Sequence, residues 1–499
     1  MTIMSYGAGP RAVAQATESF AAFKADIERV QTQLATGRKA MTYAGLGSAA
    51  LSGLKLETSL STLNGYAASV EHAQIRLDLV SHGLGHAVKL TSDLGSDLIA
   101  SYQTPVGRKV TQILASDSLA QLVDVLNTDV NGSYLYAGRK SDTKPVVSAE
   151  LMLEGEPGRA GLRALVAERS AADLGAAGTG RLTLTQSGAT ATLEEEAAGL
   201  PFGFKIAGIS RTGTGLSVTQ SAGPPASASV TVAAEPANGD KVSFVLTAPD
   251  GSRETITLVA GSSVEENDGS FAPGATNAAT AANLAAALGT ALASRAASAL
   301  PAASAFKAAA DFFGATAGNP PPRVGGPPFA TANTYTAGTA ANTVIWYAGD
   351  EGPPADARAT AAIRLSEDQT VGVGAQANEP AFRALLSAFA VLALQDPNAV
   401  LPPPQHAAVR DRAQAALTFK NGGQTLETVA TDFSLATATV KTGSDRIAAT
   451  RNHLNELKED IVGIDPNEVA MQLLATQTRL QASYQTTSSV LRLSLVDFI

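Results

Sequence analysis

Long heptad patterns at the two ends of this chain restrict its fold more than any other feature of the sequence. Within residues 20–34 the apolar positions are spaced alternately three and four apart, and they are Phe20, Phe23, Ile27, Val30 and Leu34. This spacing is typical of a narrow seam between helices that coil around each other. We predict a first helix here that ends at Gly37, because glycine readily takes the left-handed conformation that caps a helix.

A second helix is predicted from about residue 48, after a glycine-rich connector at residues 43–47. Its apolar positions recur at multiples of seven, with Thr91 filling one polar slot. They are Leu56, Leu63, Val70, Leu77, Leu84 and Leu98. A third helix is predicted over residues 107–127.

The far end of the chain repeats the pattern from residue 426 to residue 461, with only Gly443 and Thr450 off type. Its apolar positions are Leu426, Val429, Phe433, Ala436, Val440, Ile447, Leu454, Leu457 and Ile461. A stop near Gly463 and a restart at Asp465 and Pro466 predict one more helix, since aspartate caps and proline begins helices. That last helix carries Leu473, Leu480, Tyr484, Leu491 and Phe498.

An unpaired heptad seam leaves an apolar stripe in water, so each of these helices needs a partner helix. We predict that the two chain ends pair in one antiparallel coiled-coil rod and offer their remaining apolar surface to neighbouring subunits. The predicted assembly residues are the first five seam positions together with Leu63, Val70, Leu77, Leu426, Phe433, Ile447, Leu454, Ile461, Leu480, Leu491 and Phe498. The alternative is a bundle within one chain that has no role in assembly.

Between the two ends the composition changes to Ala, Gly, Thr, Ser and Pro. Residues 241–247 and 252–259 flank a Pro-Asp-Gly turn and predict a hairpin. Other strands are predicted at residues 181–185, 189–193, 202–209 and 227–232, and helices at residues 278–300 and 380–394. We therefore predict a multi-domain α+β protein with two halves of a rod at residues 1–145 and 421–499, a β-rich central domain at 146–235 and an outer β/α insert at 236–420.

Composition excludes several classes of function. The chain has no cysteine, which removes disulfides and thiolate chemistry, and its net charge of −9 without a dense basic run argues against a nucleic-acid partner. No apolar stretch reaches the roughly 20 residues that cross a bilayer, so no membrane partner is expected. The first residues lack the pattern of an ordinary signal peptide, so the chain is expected either to remain in the cytoplasm or to leave it by another route.

Few residues suggest chemistry at a site. His82 and His86 are four apart, as metal-binding pairs on a helix are, but Gly83 stands where a zincin motif has its glutamate. We interpret them as solvated histidines, and the run of glutamates at residues 194–196 as a solvated turn rather than a cation site. Neither a phosphate-binding loop nor a nucleophile elbow occurs. The sequence predicts no enzyme activity, no metal and no cofactor.

Several short segments resemble the bacterial flagellin family. They are residues 32–39 (TQLATGRK), 126–138 (LNTDVNGSYLYAG), 142–146 (DTKPV), 477–484 (QTRLQASY) and 493–499 (LSLVDFI). The second and third of these are similar to the hook-filament junction branch, hook-associated protein 3. The middle, including residues 342–347 (NTVIWY), is similar to inserts of alphaproteobacterial members.

This resemblance implies a structural subunit of the extracellular flagellum, exported unfolded with a chaperone and assembled with itself and other flagellar axial proteins. It also implies that Gly37, Arg38 and the connector as far as Leu51 form a contact loop between subunits. A filament-forming flagellin is an alternative, because the middle is longer than junction proteins usually have. An alternative of another class is an adhesin or glycan-binding protein that uses the middle.

Overall fold

The computed structural model describes residues 9–261, 269–396, 403–420 and 422–496. It is 56% helix and 16% sheet, which confirms the α+β class. The helices are α1 (Gly9–Thr36), α2 (Ala50–Ala100), α3 (Pro105–Leu126), α4 (Ala149–Glu154), α5 (Leu162–Leu174), α6 (Asn277–Gly314), α7 (Pro380–Ala393), α8 (Pro403–Leu417), α9 (Leu426–Val462) and α10 (Pro466–Val496).

Eight strands form two four-stranded sheets, and the other strands of the described residues are very short. The strands of the two sheets are β5 (Leu182–Ser187), β6 (Thr190–Glu195), β7 (Lys205–Arg211), β8 (Leu216–Ser221), β9 (Ser227–Val232), β10 (Lys241–Thr247), β11 (Arg253–Ala260) and β12 (Gly269–Phe271). The short strands are β1 (Asp129–Val130), β2 (Ser133–Tyr134), β3 (Gly155–Glu156), β4 (Arg159–Ala160), β13 (Arg323–Val324), β14 (Tyr335–Thr336), β15 (Ala362–Arg364) and β16 (Thr370–Gly372).

The chain divides into two compact units. The terminal unit comprises Met1–Ala73, Arg364–Thr370 and Ala438–Ile499, and the large unit comprises Gln74–Ile363 and Val371–Thr437. The division falls within α2 and within α9, so both long helices contribute to both units.

The heptad seams of α2 and α9 are confirmed by burial. In α9 the seam residues from Leu426 to Ile447 are buried, whereas Leu454 and Ile461 are half-buried and Leu457 is exposed. In α2 burial increases along the helix, from half-buried Leu56 and Leu63 to fully buried positions from Val70 onward; the later seam positions are Leu77, Leu84 and Leu98, with Thr91 half-buried. The predicted end of α1, both predicted ends of α3 and the predicted start of α10 also agree with the structure to within a turn, although α1 extends back to Gly9. The predicted far end of α10, at Phe498, lies outside the described residues.

The two sheets and the first half of α6 enclose the main core of the large unit. One sheet has the strand order β5-β6-β9-β8 and the other β12-β11-β10-β7. Alternate strand residues such as Leu193, Phe244 and Leu258 point into this core, where Leu284 and Leu288 of α6 meet them. Since β7 pairs with β10, the predicted boundary between residues 235 and 236 lies between two strands of one sheet.

Residues 145–147, where the middle begins, are hydrogen-bonded to residues 346–348 in the large unit. The Val147 N–H donates to the Trp346 carbonyl at 3.1 Å, and the Ala348 N–H donates to the Pro145 carbonyl at 2.8 Å. The Asn127 side chain both donates to and accepts from the backbone of Val146, at 3.0 Å in each case. Trp346, the chain's single tryptophan, is fully buried at this point and meets the Phe313 ring edge-on at 5.4 Å.

Two expectations for the middle are wrong. The composition and the short alternating runs of residues 146–420 predict a middle that is mostly β, but helix residues outnumber strand residues there, and α4, α5 and α8 were missed. The alanine-rich helix does not end at Leu300; it continues through Pro301 to Gly314, and buried residues such as Ala303, Ala309 and Phe312 hold that extension in place. Packing therefore overrides the tendency of proline to interrupt a helix. Strand β8 was missed as well.

Burial along α9 predicts unequal costs of truncation within one seam. Ile447 is 4% exposed and Leu457 is 38% exposed. We expect Ile447→Ala to lower the free energy of unfolding by about 2–5 kcal/mol, because it empties a closed site. Leu457→Ala is expected to cost about 1 kcal/mol or less. Urea unfolding followed by circular dichroism measures both, and equal losses would contradict the burial pattern.

Candidate assembly site

The two ends of the chain are joined by backbone hydrogen bonds within the terminal unit. The Lys39 N–H donates to the Val462 carbonyl at 2.7 Å, and the Ile464 N–H donates to the Gly37 carbonyl at 3.1 Å. The Lys39 ammonium also donates to the Asp460 carbonyl at 2.7 Å, across 421 positions of sequence. We call this set of contacts the crossing. It places the end of α1 beside the end of α9 and the start of α10.

Glycine is required on both sides of the crossing. Gly37 has a φ of 68°, the left-handed conformation that ends α1, as the sequence predicts. Gly463 pairs with Arg38 in an antiparallel bridge, and a Cβ there would lie 2.5 Å from the Glu459 carbonyl oxygen. Any larger residue at Gly463 would have to displace the last turn of α9.

An ion pair lies next to the crossing. The Lys458 ammonium is 2.5 Å from the Glu57 carboxylate, to which the Tyr43 hydroxyl also donates at 3.4 Å. The hydrogen bond and charge of Lys458 lower the pKa of Glu57 below its ordinary value, with a smaller contribution from Tyr43. These groups and Arg38 line a small cleft of about 140 Å³. The first turns of α2 are thereby attached to α9, and Tyr43 of the connector bonds to the same carboxylate.

Beyond the crossing, α1 and α10 lie against each other. The rings of Phe20 and Tyr484 stack with their centroids 4.6 Å apart. Phe20 precedes the crossing in sequence and Tyr484 follows it, so the two helices run in opposite directions. Among the described seam residues of this pair, Phe23, Ile27 and Leu480 are half-buried, whereas Val30 is buried and Leu34 and Tyr484 are exposed.

Apolar side chains away from the seams are exposed in the terminal unit. Five of them are more than half exposed, and they are Met41, Leu51, Leu54, Met471 and Leu474. Met471 and Leu474 are three apart on α10 and therefore share a face of that helix. The large unit also has apolar side chains that are more than half exposed, and they are Ile99, Val106, Ile113 and Leu435. Exposed apolar groups that adjoin one another, such as Met471 and Leu474, are typical of surfaces that bind another protein.

The predicted assembly residues divide by burial. Buried within the chain are Val30, Val70, Leu77, Leu426, Phe433 and Ile447; half-buried are Phe20, Phe23, Ile27, Gly37, Leu63, Leu454, Ile461 and Leu480; Leu34 and Arg38 are exposed. The fully buried members stabilise the subunit itself, because their surface is already covered. The Leu491 side chain and Phe498 lie outside the described residues. Met41 and Leu51 lie in the predicted contact loop, whereas Leu54, Met471 and Leu474 were missed, since a heptad search selects only seam positions.

The large unit contains buried ionic contacts that no sequence pattern predicts. Asp173 is fully buried and accepts from Arg169 Nε at 2.7 Å, from Ser304 Oγ at 2.8 Å and from the Gly203 N–H at 2.8 Å. Arg169 also contacts the hydroxyl of Tyr335, and burial raises the pKa of that tyrosine to about 12. These contacts attach the segment around β14 to α5 and α6.

A second buried arginine holds the same part of the chain. Arg181 donates to the Ala330 carbonyl and to Asn333 Oδ1, both at 3.1 Å, and it pairs with Glu196 at 3.1 Å. The side chains of this cluster are far apart in sequence, so no spacing predicts them. Their partners are backbone carbonyls and carboxylates of the chain itself. We therefore interpret these arginines as residues that stabilise the fold.

The residues singled out for metal chemistry have other partners. His82 Nδ1 lies 2.9 Å from the Asp78 carbonyl, and His86 Nε2 lies 2.9 Å from Gln121 Oε1. The solvated-turn interpretation of residues 194–196 is wrong, because Glu194 and Glu195 lie in β6 and Glu195 accepts from the Ile206 N–H at 3.0 Å. Among the described residues, no group of three or more His, Asp and Glu side chains is placed to hold a metal ion.

A wide cleft lies in the large unit, between α6, α8 and the β10–β11 turn. It has a volume of about 890 Å³, and alanines of α8 line one wall. Arg412 crosses its rim, with Nε 2.7 Å from Asp250 and Nη2 3.0 Å from Glu254. Arg412, Asp250 and Glu254 at this rim are thus paired with one another.

Within the described residues, none of the helices combines the length and the apolar character that crossing a bilayer requires. No protein-family model matches the chain, and no curated protein is significantly similar to it.

The ion pair beside the crossing predicts a shifted titration. Because Lys458 lowers the pKa of Glu57, we expect Lys458→Met to raise that pKa toward the ordinary glutamate value. In the native chain the pair forms above the ordinary pKa of Glu57 and is lost as the pH falls through the lowered one. NMR titration of labelled glutamate carboxyls measures the change. An unchanged pKa in the variant would show that the pair does not form in solution.

Substitution by alanine is expected to have opposite effects on stability at Gly463, in the crossing, and at Gly65, within α2. Gly463→Ala should lower the free energy of unfolding of the terminal unit by about 1–3 kcal/mol, because the added Cβ meets backbone. Gly65→Ala in α2 is the matched control, since nothing lies within 4 Å of the added methyl. That control should stabilise the chain by about 0.5–1 kcal/mol. Calorimetry compares the two variants, and stabilisation by Gly463→Ala would refute the assigned geometry.

Proposed function

We propose that this chain is a structural subunit of the bacterial flagellum, of the hook-filament junction type, that polymerises through its terminal helices. The observation that carries the proposal is the crossing together with the exposed apolar groups of the terminal unit. An axial subunit needs its two chain ends held side by side and needs apolar surface left for its neighbours. The chain has both features.

The dimensions of the terminal helices suit such a role. At about 1.5 Å of rise per residue, α1 is about 42 Å long and α10 about 46 Å. We propose that these two helices form a coiled-coil rod. Most of their described seam residues are half-buried or exposed, so a neighbouring subunit can cover more of them. Apolar burial supplies roughly 25 cal/mol per Å², which accumulates along helices of this length.

The partners and location follow from the same proposal. The subunit would be exported through the flagellar apparatus with a chaperone and would contact itself and other axial proteins outside the cell. A filament flagellin is the alternative, and copy number at the cell surface separates the two, since a filament subunit is abundant. An adhesin that stacks sugars on aromatic rings is less well supported, because no aromatic side chain is exposed in the described part of residues 146–420.

Removal of residues 465–499 tests the proposal. We expect the truncated chain to lose polymerisation and to fail to restore motility in a strain that lacks the native protein, because α1 loses its partner helix. The large unit should keep its cooperative unfolding, since α10 belongs to the terminal unit. Sedimentation and electron microscopy measure assembly, and unaltered polymerisation would refute the role of the terminal helices.

Point variants separate lost assembly from lost folding. Met471→Glu with Leu474→Glu places charges on the exposed face of α10 and should abolish polymerisation with little change in the melting temperature. The matched control is Thr442→Glu with Asn455→Glu, which adds the same charge at exposed polar positions of α9. If control and test variants assemble equally well, the face of α10 is not the contact.

A further inference from the structure

The outer side of α3 in the large unit carries an apolar stripe. Val106, Val110 and Ile113 are spaced four and three residues apart, so they share one side of the helix. These three side chains are between 49% and 75% exposed. The other side of α3 contributes buried residues such as Leu119 and Leu122. The stripe therefore lies outside the core of the large unit.

Charged side chains flank this stripe along α3. Exposed Lys109 directly precedes Val110, and exposed Asp117 lies one turn beyond Ile113. In the direction of the chain, this side of α3 therefore presents a cation, two apolar groups and an anion. We call Lys109, Val110, Ile113 and Asp117 the α3 face.

The exposed side of α10 presents the reverse order of groups. Glu468 and Arg479 are exposed, and between them Met471 and Leu474 are 65% and 66% exposed. In the direction of the chain, an anion is followed here by two apolar groups and then by a cation. We call these four residues the α10 face. Charges of opposite sign therefore begin and end the two faces.

A parallel arrangement of α3 and α10 pairs these charges. At about 1.5 Å of rise per residue, the α3 face is about 12 Å long and the α10 face about 16 Å, so each extends over about two to three turns of helix. Lys109 can then lie level with Glu468. In that register Asp117 lies about 4–5 Å along the axis from the level of Arg479.

The apolar groups and the flanks of the faces agree with the same register. Ile113 is level with the interval between Met471 and Leu474, as a side chain that enters a hole of the facing helix is. Successive residues are about 100° apart around a helix, so Lys109 lies on one flank of its face and Glu468 on the opposite flank of its own. Parallel helices bring opposite flanks together.

An antiparallel arrangement brings like charges together. If the apolar pairs are kept level in that direction, Asp117 comes within about 1.5 Å of the level of Glu468. Lys109 comes within about 6 Å of the level of Arg479. Like charges that face each other oppose association, so the charge order of the two faces favours the parallel arrangement.

We propose that the α10 face of one copy of this chain binds the α3 face of a second copy with the two helices parallel. Because the two surfaces differ, the contact is heterologous and can repeat from copy to copy as an assembly grows. The inference rests on the proposed function and names the surface that Met471 and Leu474 meet in the polymer. Two to three turns of helix bury less than the roughly 1,200 Å² of a stable complex, so the contact is weak between two free copies. In a polymer it acts together with the other contacts of each subunit.

Exchange of two charges tests the pairing. Asp117→Arg and Arg479→Glu should each raise the protein concentration needed for polymerisation about threefold to tenfold, because each places like charges opposite each other. The two substitutions together should restore the native value. The control combines Arg479→Glu with Asp445→Arg at an exposed position of α9, and it should not restore assembly. An exchanged pair that assembles no better than this control would overturn the contact.

Cysteine cross-linking tests the contact without polymerisation, since the native chain has no cysteine. Val110→Cys and Met471→Cys are prepared as separate full-length proteins, one with an affinity tag, and are mixed at high concentration under oxidising conditions. We expect the mixed disulfide dimer to exceed either homodimer by about tenfold, the ratio that a modest binding free energy gives. Met471→Cys mixed with Lys441→Cys is the control, because Lys441 is exposed on α9. Similar amounts of all dimers in both mixtures would refute the proposed contact.

The two experiments separate a failure of this contact from a failure of the proposed function. An excess of the mixed dimer in a chain that does not polymerise would support the contact and refute the flagellar role. Polymerisation of the native chain without an excess of the mixed dimer would refute the contact and leave that role standing.

Discussion

Backbone hydrogen bonds between the two chain ends are the constraint on which the terminal unit depends. α1 and α10 each carry a half-open apolar seam, and neither would be stable alone in water. The crossing holds the end of α1 beside the start of α10, because the Lys39 N–H donates to the Val462 carbonyl and the Ile464 N–H donates to the Gly37 carbonyl. Glycine at positions 37 and 463 permits that approach. The pairing of the ends is thus set by a few atoms, and the seams then extend it.

Buried arginines hold the large unit in a comparable way. Residues 315–379 have little regular structure, and they are fixed by guanidinium groups that bond carbonyls and carboxylates at a distance in sequence. Arg358 lies 4.0 Å from the centre of the Phe433 ring and pairs with buried Glu379, which also accepts from Gln424 at 2.9 Å. Burying such charges is costly, so removing one partner would leave the other uncompensated. These residues help to define one arrangement of a segment that has little regular structure.

The sequence predicted the features that repeat and missed those that depend on one tertiary contact. Heptad spacing located α2 and α9 because a period of seven persists over many turns. The strands with clear alternation, β9 and β10, were predicted to the residue, whereas β8 was hidden among glycines. Pro301 suggested a helix end that packing removes. The crossing was predicted only as a pairing of ends, since no local pattern shows that Lys39 reaches Val462.

The position of the single tryptophan has an optical consequence. Trp346 is fully buried in the large unit, next to Phe313 and Tyr347, and the terminal unit contains no tryptophan. Indole emission excited at long wavelength therefore reports on the large unit alone, while the helix signal in far-ultraviolet dichroism reports on both. Melting curves recorded by the two methods would resolve the separate unfolding of each unit in the unlabelled, unmodified chain.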